Sequence, residues 1–128
     1  MNERALRQLL DSLNASLERL GEALAVPEDR PLAVDGTIQR FKFTFELFWT
    51  AVRRLRAGQG VEANSPRAVL QQADRLGWLD DEERCLKLLE DRNLTSHTYR
   101  EGLAREIYRR IPLHHAAMRE VVQKLRPT

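Results

Sequence analysis

The stretch Phe41-Lys42-Phe43-Thr44-Phe45-Glu46-Leu47-Phe48-Trp49 decides the fold, because its apolar side chains cover more than one face of a helix. The helix that contains it is predicted to run from an N-cap at Asp35 to about Ala57 and to end at Gly58 and Gly60. A helix that is apolar around most of its girth needs two partner surfaces. We interpret one face as core and the other as a homodimer contact. The alternative is a central helix buried wholly within its own chain.

Four further segments show apolar residues at helical spacing or helix boundary signals. They run from Glu3 to about Ala25, from Ser65-Pro66 to about Leu76, from Asp80-Asp81-Glu82-Glu83 through Arg92, and from about Tyr99 to Leu125. Four long helices, one short helix and brief links predict an all-α fold, an up-and-down four-helix bundle with one extra short helix. We expect a single helical-bundle domain over residues 1–128.

Local residue choices support these boundaries. Ser65 is suited to an N-cap and Pro66 to the first helical position. Thr98 and Glu101 fit a capping box that would start the last helix. Pro112 falls inside that helix, where it should kink the helix or remove one backbone hydrogen bond.

Composition limits the class of protein. The 128 residues are 42% hydrophobic with only 6 Gly and 5 Pro, which argues against an all-β or a disordered chain. No apolar run approaches the roughly 18 residues of a membrane helix, and Met1-Asn2-Glu3-Arg4 lacks a signal-peptide pattern. The single cysteine, Cys85, excludes an internal disulfide framework and a cysteine-based zinc site. We therefore expect a cytoplasmic protein with no membrane association, no metal and no cofactor.

The segment Arg92-Asn93-Leu94-Thr95-Ser96-His97-Thr98-Tyr99 concentrates the side chains best suited to chemistry. The predicted capping box puts His97 just outside the last helix and Arg92 at the end of the preceding one. Arg92, His97 and Tyr99 can then converge around one turn, and Asn93 would orient either Arg92 or His97. Arginine binds phosphate and histidine transfers protons near neutral pH, so the segment predicts a phosphate-handling site. The alternative is an ordinary turn between helices, where an arginine is favourable anyway.

Several other residues have ordinary structural interpretations. Glu46 is predicted to pair with Lys42 one turn earlier; the less favoured alternative is that Glu46 points into the cleft and orients Arg92. His114 and His115 are adjacent, so they face different ways and are interpreted as surface residues.

Structural roles also account for the remaining candidates. We expect Cys85 to be a buried thiol, and Trp49 and Trp78 to be packing residues. Glu101–Arg105 and Glu106–Arg110 are predicted as helix-surface pairs, with a basic flank for RNA as the alternative.

The order Arg92, four residues, His97, one residue, Tyr99 resembles the Arg-x4-His-x-Tyr signature of prokaryotic HEPN-domain proteins. The block 35–49, Ser65-Pro66-Arg67 and Asp91-Arg92-Asn93 resemble the nucleotidyltransferase substrate-binding protein family, which belongs to the same superfamily. The likeness spans nearly the whole chain.

This resemblance implies a four-helix-bundle homodimer that is encoded beside a minimal nucleotidyltransferase and acts as the toxin of a toxin–antitoxin pair. Such proteins are metal-independent ribonucleases in which Arg and His of two protomers line one cleft. By this likeness Arg92 would bind the scissile phosphate of RNA and His97 would act as acid and base on the ribose 2′-OH. The nucleotidyltransferase antitoxin would silence the toxin by transferring AMP to Tyr99.

Two rival functions remain open from the sequence. One is a non-catalytic subunit that delivers a substrate to a nucleotidyltransferase, in which the same residues merely bind phosphate. The other is a structural helical adaptor, in which the turn is only a turn. The sequence carries no glycine-rich phosphate loop, which argues against this chain being the nucleotide-transferring partner itself.

Overall fold

The computed structural model of the protein describes residues 3–58, 64–75, 77 and 82–125. Within these residues the chain forms α-helices and one short 3-10 helix, and no β-strand. The helices are α1 (Glu3–Leu24), α2 (Ala33–Gly58), α3 (Pro66–Arg75), α4 (Glu82–Leu94), the 3-10 helix (Thr95–His97) and α5 (Glu101–Lys124). This order confirms the predicted all-α bundle of four long helices and a short one.

Helix α2 lies at the centre of the bundle. It packs most extensively against α1 and α5 and also contacts α3 and α4. Its aromatic side chains Phe41, Phe45 and Phe48, spaced three or four residues apart, are fully buried. The helical stripe of α1 packs into the same core through Leu13, Leu17 and Leu20, as its spacing predicts. The core face expected for α2 is therefore confirmed.

The opposite side of α2 is only partly covered by the chain itself. Phe43 remains 51% exposed, whereas Leu47, one turn later, is half-buried against the core. The exposed part of the second apolar face is thus smaller than the sequence suggests, because Leu47 packs against the core. The predicted homodimer contact on this face stays a prediction.

The start of α2 differs from the prediction. The helix begins at Ala33, so Asp35 lies in its first turn rather than at the N-cap. The preceding residue, Leu32, has φ 67° in the left-handed region, and its carbonyl accepts a hydrogen bond from the N–H of Gly36 at 2.8 Å. The chain therefore turns sharply at Leu32, and the helix starts before the predicted N-cap. In the first turn the Asp35 carboxylate still interacts favourably with the positive end of the helix dipole.

The capping box predicted for α5 is wrong. The helix begins at Glu101 with Arg100 as its N-cap, and no side chain caps it. The hydroxyl of Thr98 instead donates to the carbonyl of Thr95 at 3.0 Å. The chain forms a 3-10 helix directly after α4. The hydroxyl of Thr98 therefore bonds a carbonyl of that 3-10 helix instead of capping α5.

Other boundaries agree with the prediction. Ser65 caps α3, since its Oγ accepts a hydrogen bond from the N–H of Ala68 at 3.2 Å. Pro112 lies inside α5 and Cys85 is buried, as expected. No helix among the described residues has the length and apolar character needed to cross a bilayer. The predictions for Gly60, Leu76, Trp78, Asp80 and Asp81 fall outside the described residues.

Candidate functional site

The end of α4 is closed by hydroxyl groups that bond back to its last carbonyls. The hydroxyl of Thr95 donates to the carbonyl of Arg92 at 2.6 Å, and the hydroxyl of Ser96 donates to the carbonyl of Asn93 at 3.1 Å. Carbonyls at a helix C-terminus have no partner within the helix, so these bonds satisfy them. The 3-10 helix is thereby fixed to the last turn of α4, which carries Arg92.

Arg92 is held on three sides. Its Nη2 donates to Glu46 Oε1 of α2 at 2.8 Å, and its Nη1 donates to Asn93 Oδ1 at 3.1 Å. Its guanidinium carbon lies 5.5 Å from the centre of the Phe45 ring, within the range of a cation–π contact. The side chain is still 33% exposed. The guanidinium is therefore oriented by the fold and accessible from solvent.

Both carboxylate oxygens of Glu46 are engaged. Oε1 accepts from Arg92, and Oε2 accepts from the indole N–H of Trp49 at 3.0 Å. Burial raises the pKa of Glu46, but the hydrogen bonds from Arg92 and Trp49 and the charge of Arg92 outweigh it, so the pKa lies below its ordinary value. Glu46 is thus an ionised acceptor near neutral pH.

The predicted pairing of Glu46 with Lys42 is wrong. No ion pair joins them within the described part of the chain, and the pairing with Arg92 that the sequence made less favoured is the one observed. The reason lies in the tertiary structure: α4 brings a guanidinium to Glu46, and Trp49 on the next turn of α2 takes the remaining oxygen. Spacing along one helix cannot reveal such a partner.

An open cleft of about 310 Å³ lies beside this arrangement. It is lined by Lys42, Glu46, Arg92, Asn93, Thr95 and Ser96. The bonds to Glu46 and Asn93 use two of the guanidinium N–H groups, and arginine has more of them to offer. With Lys42 also in its lining, the cleft has the donors and positive charge that an anion requires.

His97 and Tyr99 form a second group. Their rings meet edge to face, with centroids 6.2 Å apart, and Tyr99 is 81% exposed. Tyr99 lines a different cleft of about 480 Å³, together with Leu32 and Arg105. No hydrogen bond joins Arg92 to His97 among the residues described. Within the described residues Arg92 is thus bonded to Glu46 and Asn93, His97 contacts Tyr99, and no hydrogen bond links the two groups.

A buried ionic cluster is centred on Asp91, the residue that precedes Arg92 in α4. The carboxylate of Asp91, which is 0% exposed, accepts hydrogen bonds from Nε and Nη2 of Arg110, both at 2.8 Å. Nε2 of His114 lies 2.6 Å from the same carboxylate and donates to it, since an ionised carboxylate only accepts. The His114 ring also stacks on Phe41, with centroids 5.4 Å apart. The cluster joins α4 to α5 and to α2.

Opposing effects set the pKa of Asp91. Burial raises it, but the hydrogen bonds from His114 and Arg110 and their charges outweigh the burial, so the pKa lies below its ordinary value. The hydrogen bonds that Arg110 donates to Asp91 raise the pKa of Arg110. The carboxylate is therefore held ionised inside the protein.

This cluster differs from what the sequence predicts. His114 was expected at the surface and is buried, and His115 is partly buried with its Nε2 2.9 Å from the carbonyl of Leu17. Arg110 was expected to pair with Glu106 but bonds Asp91. A signal was present, because Arg110 and His114 are four residues apart and so lie on one face of α5. The predicted Glu101–Arg105 pair is found, at 3.6 Å.

Residues 8–127 match the family described as nucleotidyltransferase substrate binding protein like. The chain belongs to this family. The match includes α2 with Glu46, the end of α4 with Arg92, and the segment with His97 and Tyr99. Within the described residues of this family member, no three side chains of metal-ligating type are grouped closely enough to hold an ion.

One named protein is similar in sequence to part of this family member. A probable ribonuclease HepT of Haemophilus influenzae is 29% identical over 83 residues, which is 61% of this chain and 57% of that protein. The alignment thus spans little more than half of that relative.

Two solved structures show the same fold over nearly the whole chain. A Thermus thermophilus protein is 39% identical, with a TM-score of 0.82 over 90% of this chain and 99% of that one. A Haemophilus influenzae protein, described as revealing the fold of a substrate binding domain of a nucleotidyltransferase, is 25% identical, with a TM-score of 0.80 over 92% of this chain and 99% of that one. These likenesses confirm the helical bundle.

Proposed function

We propose that this protein is the HEPN-type toxin of a minimal nucleotidyltransferase toxin–antitoxin pair and cleaves RNA in the cytoplasm without a metal ion. Arg92 binds the scissile phosphate, His97 moves the proton, and Tyr99 is the site at which the antitoxin silences the enzyme. Membership of the nucleotidyltransferase substrate-binding family supports the pairing. The likeness to a protein named as a probable ribonuclease supports the activity.

The main support for the proposal is that the Arg92 guanidinium is both fixed in orientation and accessible to solvent. A solvent-accessible guanidinium that is hydrogen-bonded to Glu46 and Asn93 and lies over an aromatic ring has a fixed direction before any ligand arrives. Preorganised donors stabilise developing negative charge more effectively than mobile ones, because they need no reorganisation during the reaction.

The chemistry follows from the two side chains. The imidazole of His97 accepts the proton of a ribose 2′-OH, and the 2′ oxygen then attacks the adjacent phosphorus. The bond from phosphorus to the 5′ oxygen breaks, and a protonated imidazole returns a proton to that oxygen. The products are a 2′,3′-cyclic phosphate and a free 5′-OH. The Arg92 guanidinium hydrogen-bonds the phosphate oxygens as negative charge develops on them.

We place the complete site in a homodimer, because Arg92 and His97 of one chain lie in separate groups. A second copy would bring its His97 opposite the Arg92 cleft. The half-exposed Phe43 of α2 follows Lys42, which lines that cleft, and supplies apolar surface for such a contact.

Silencing would use the exposed hydroxyl of Tyr99. The phenolic oxygen attacks the α-phosphorus of ATP held by the nucleotidyltransferase, pyrophosphate leaves, and AMP remains esterified to the tyrosine. The 81% exposure of Tyr99 makes its ring accessible to a second enzyme. The added nucleotide would lie against His97, whose ring is in contact with that of Tyr99.

The test is cleavage of a mixed-sequence RNA oligonucleotide by the purified chain in EDTA. We expect cleavage with cyclic phosphate ends, slowed at least about 100-fold in Arg92→Ala and in His97→Ala. Arg84→Ala is the matched control, since Arg84 is another α4 arginine of similar exposure that is paired elsewhere, with Glu120. Undiminished cleavage in His97→Ala, or cleavage only after metal is added, would contradict the proposal.

A second function is favoured by one of the structural likenesses. The Haemophilus influenzae structure is described as a substrate binding domain of a nucleotidyltransferase, so this chain would be a non-catalytic subunit that holds a phosphate-bearing substrate for its partner. A wild-type chain that cleaves no RNA, yet increases product formation by the purified nucleotidyltransferase in an Arg92-dependent way, would support this alternative over the first.

A further inference from the structure

The cluster of Asp91, Arg110 and His114 is placed where it can control the direction of Arg92. Asp91 and Arg92 are consecutive in α4, so their side chains leave the helix about 100° apart. Asp91 points to α5 and Arg92 points to α2. A rotation or shift of α4 that broke the first set of contacts would also move Arg92 away from Glu46.

The two sets of contacts are joined again through α2. His114 stacks on Phe41 and Arg92 lies over Phe45, which is four residues and about one turn further along the same helix. The Asp91 carboxylate and the stacked His114 ring therefore connect α4, which carries Arg92, to α5 and to α2. No other buried acidic side chain occurs in the described residues.

We propose that Asp91, Arg110 and His114 are positioning residues that fix the Arg92 guanidinium for its role in phosphate binding. The proposal rests on the proposed function. Its physical basis is geometric: displacing a positioned group by a fraction of a hydrogen-bond length reduces the rate without preventing substrate binding. A cluster that only stabilised the fold would lower the folded fraction, while the remaining folded molecules kept full activity.

The first test compares two arginine-to-lysine changes at contacts between α4 and α5. Arg110→Lys replaces the two-pronged contact to Asp91 by a single ammonium, and lysine does not reproduce that geometry. Arg84→Lys makes the same change at the Arg84–Glu120 pair, which lies two turns before Arg92 on α4. Both variants keep their charge, and circular dichroism checks that both fold.

Two readouts follow the site. The indole N–H signal of Trp49 in a proton–nitrogen NMR spectrum, identified by its absence in Trp49→Phe, reports on Glu46 and hence on Arg92. Single-turnover RNA cleavage reports on function. We expect Arg110→Lys to displace the Trp49 signal and to slow cleavage about tenfold, with RNA affinity changed less than about twofold. Arg84→Lys should leave the signal in place and change the rate less than about twofold.

A second pair of variants separates the hydrogen bond of His114 from its bulk. His114→Ala removes the donor to Asp91, whereas His114→Gln keeps an amide donor near the position of Nε2. We expect the Trp49 signal to move in the first variant and to return toward its wild-type position in the second.

The outcomes are distinct. Equal displacement of the Trp49 signal in Arg110→Lys and Arg84→Lys, or none in either, overturns the proposal, as does equal displacement in His114→Ala and His114→Gln. If wild-type protein cleaves no RNA, the proposed function fails, but the Trp49 signal still decides whether the cluster positions Arg92.

Discussion

Asp91 and Arg92 are neighbours in sequence and lie in opposite surroundings. Asp91 has no exposed surface and is bonded by Arg110 and His114, whereas Arg92 is one-third exposed and faces an open cleft. Asp91 pairs with Arg110 in the interior (the inner pair), and Arg92 pairs with Glu46 at the surface (the outer pair). The inner pair fixes the helix, and the outer pair leaves a guanidinium available to a ligand. One turn of helix can therefore carry a structural and a functional charge side by side.

The energetic consequences of the two pairs should differ as well. Removing one partner of a buried ion pair leaves the other charge without compensation, which costs about 3–5 kcal/mol in typical proteins. An exposed pair contributes about 0–1 kcal/mol, because water and salt screen it. The comparison thus predicts a large loss of stability on changing Asp91 and a small one on changing Arg92.

The largest expected effect is that of Asp91→Asn on stability. We expect the free energy of unfolding to fall by about 3 kcal/mol, since Arg110 and the buried His114 lose an ionised acceptor. Urea denaturation measures this change. Asp11→Asn, at an exposed position of α1, is the control and should change stability by less than about 0.5 kcal/mol. A loss below about 1 kcal/mol in Asp91→Asn would contradict the comparison.

Acid should remove the same contribution from the wild-type protein. The pKa of Asp91 is lower in the folded chain than its ordinary value of 3.8, so its contribution is present above that value and is lost as the pH falls through the folded pKa. The difference in unfolding free energy between wild type and Asp91→Asn should therefore shrink as the pH falls from about 5 to about 2. A difference that does not change over this range would show that the ionised carboxylate is not what stabilises the cluster.

Glu46→Gln should have a smaller effect on stability, because the side chain of Glu46 is about half exposed. We expect a loss of less than about 1 kcal/mol together with a displaced Trp49 indole signal. Glu120→Gln breaks a comparable ion pair, with Arg84, and should leave the Trp49 signal unchanged. If both variants move the signal, Glu46 does not act locally on the Arg92 site.

Tyr99→Phe should have the smallest effect on folding. The side chain is 81% exposed, so the free energy of unfolding should change by less than about 0.5 kcal/mol. Its consequence should be seen only with the partner enzyme: intact-mass analysis after co-expression should show AMP on the wild-type chain and none on the variant. AMP retained on Tyr99→Phe would place the modification at another residue.

The helices could be predicted from sequence because their signals are local. Apolar spacing indicated α1 and the core face of α2, and Ser65 with Pro66 indicated the start of α3. The start of α5 was mispredicted because Thr98 and Glu101 satisfy the capping pattern, but the chain has already turned into a 3-10 helix at Thr95. Two local structures, a capping box at Thr98 and a 3-10 turn at Thr95, compete for the same residues, and the folded chain adopts the turn.

The candidate site could be predicted only in part. Arg92 and His97 stood out because few residue types suit phosphate chemistry. The partner of Glu46 and the burial of His114 could not be inferred from one helix at a time, since both depend on contacts between helices. The fixed direction of Arg92 is therefore a result of the fold rather than of the motif.

The role of the fixed guanidinium is tested most directly by Arg92→Lys. Lysine keeps the positive charge but cannot bond Glu46 and Asn93 in the same fork, so it separates charge from orientation. At equal folded fraction and in EDTA, we expect single-turnover RNA cleavage to fall at least about tenfold, with stability changed by less than about 1 kcal/mol. Cleavage at the wild-type rate in Arg92→Lys would contradict the claim that the orientation of Arg92 serves its function.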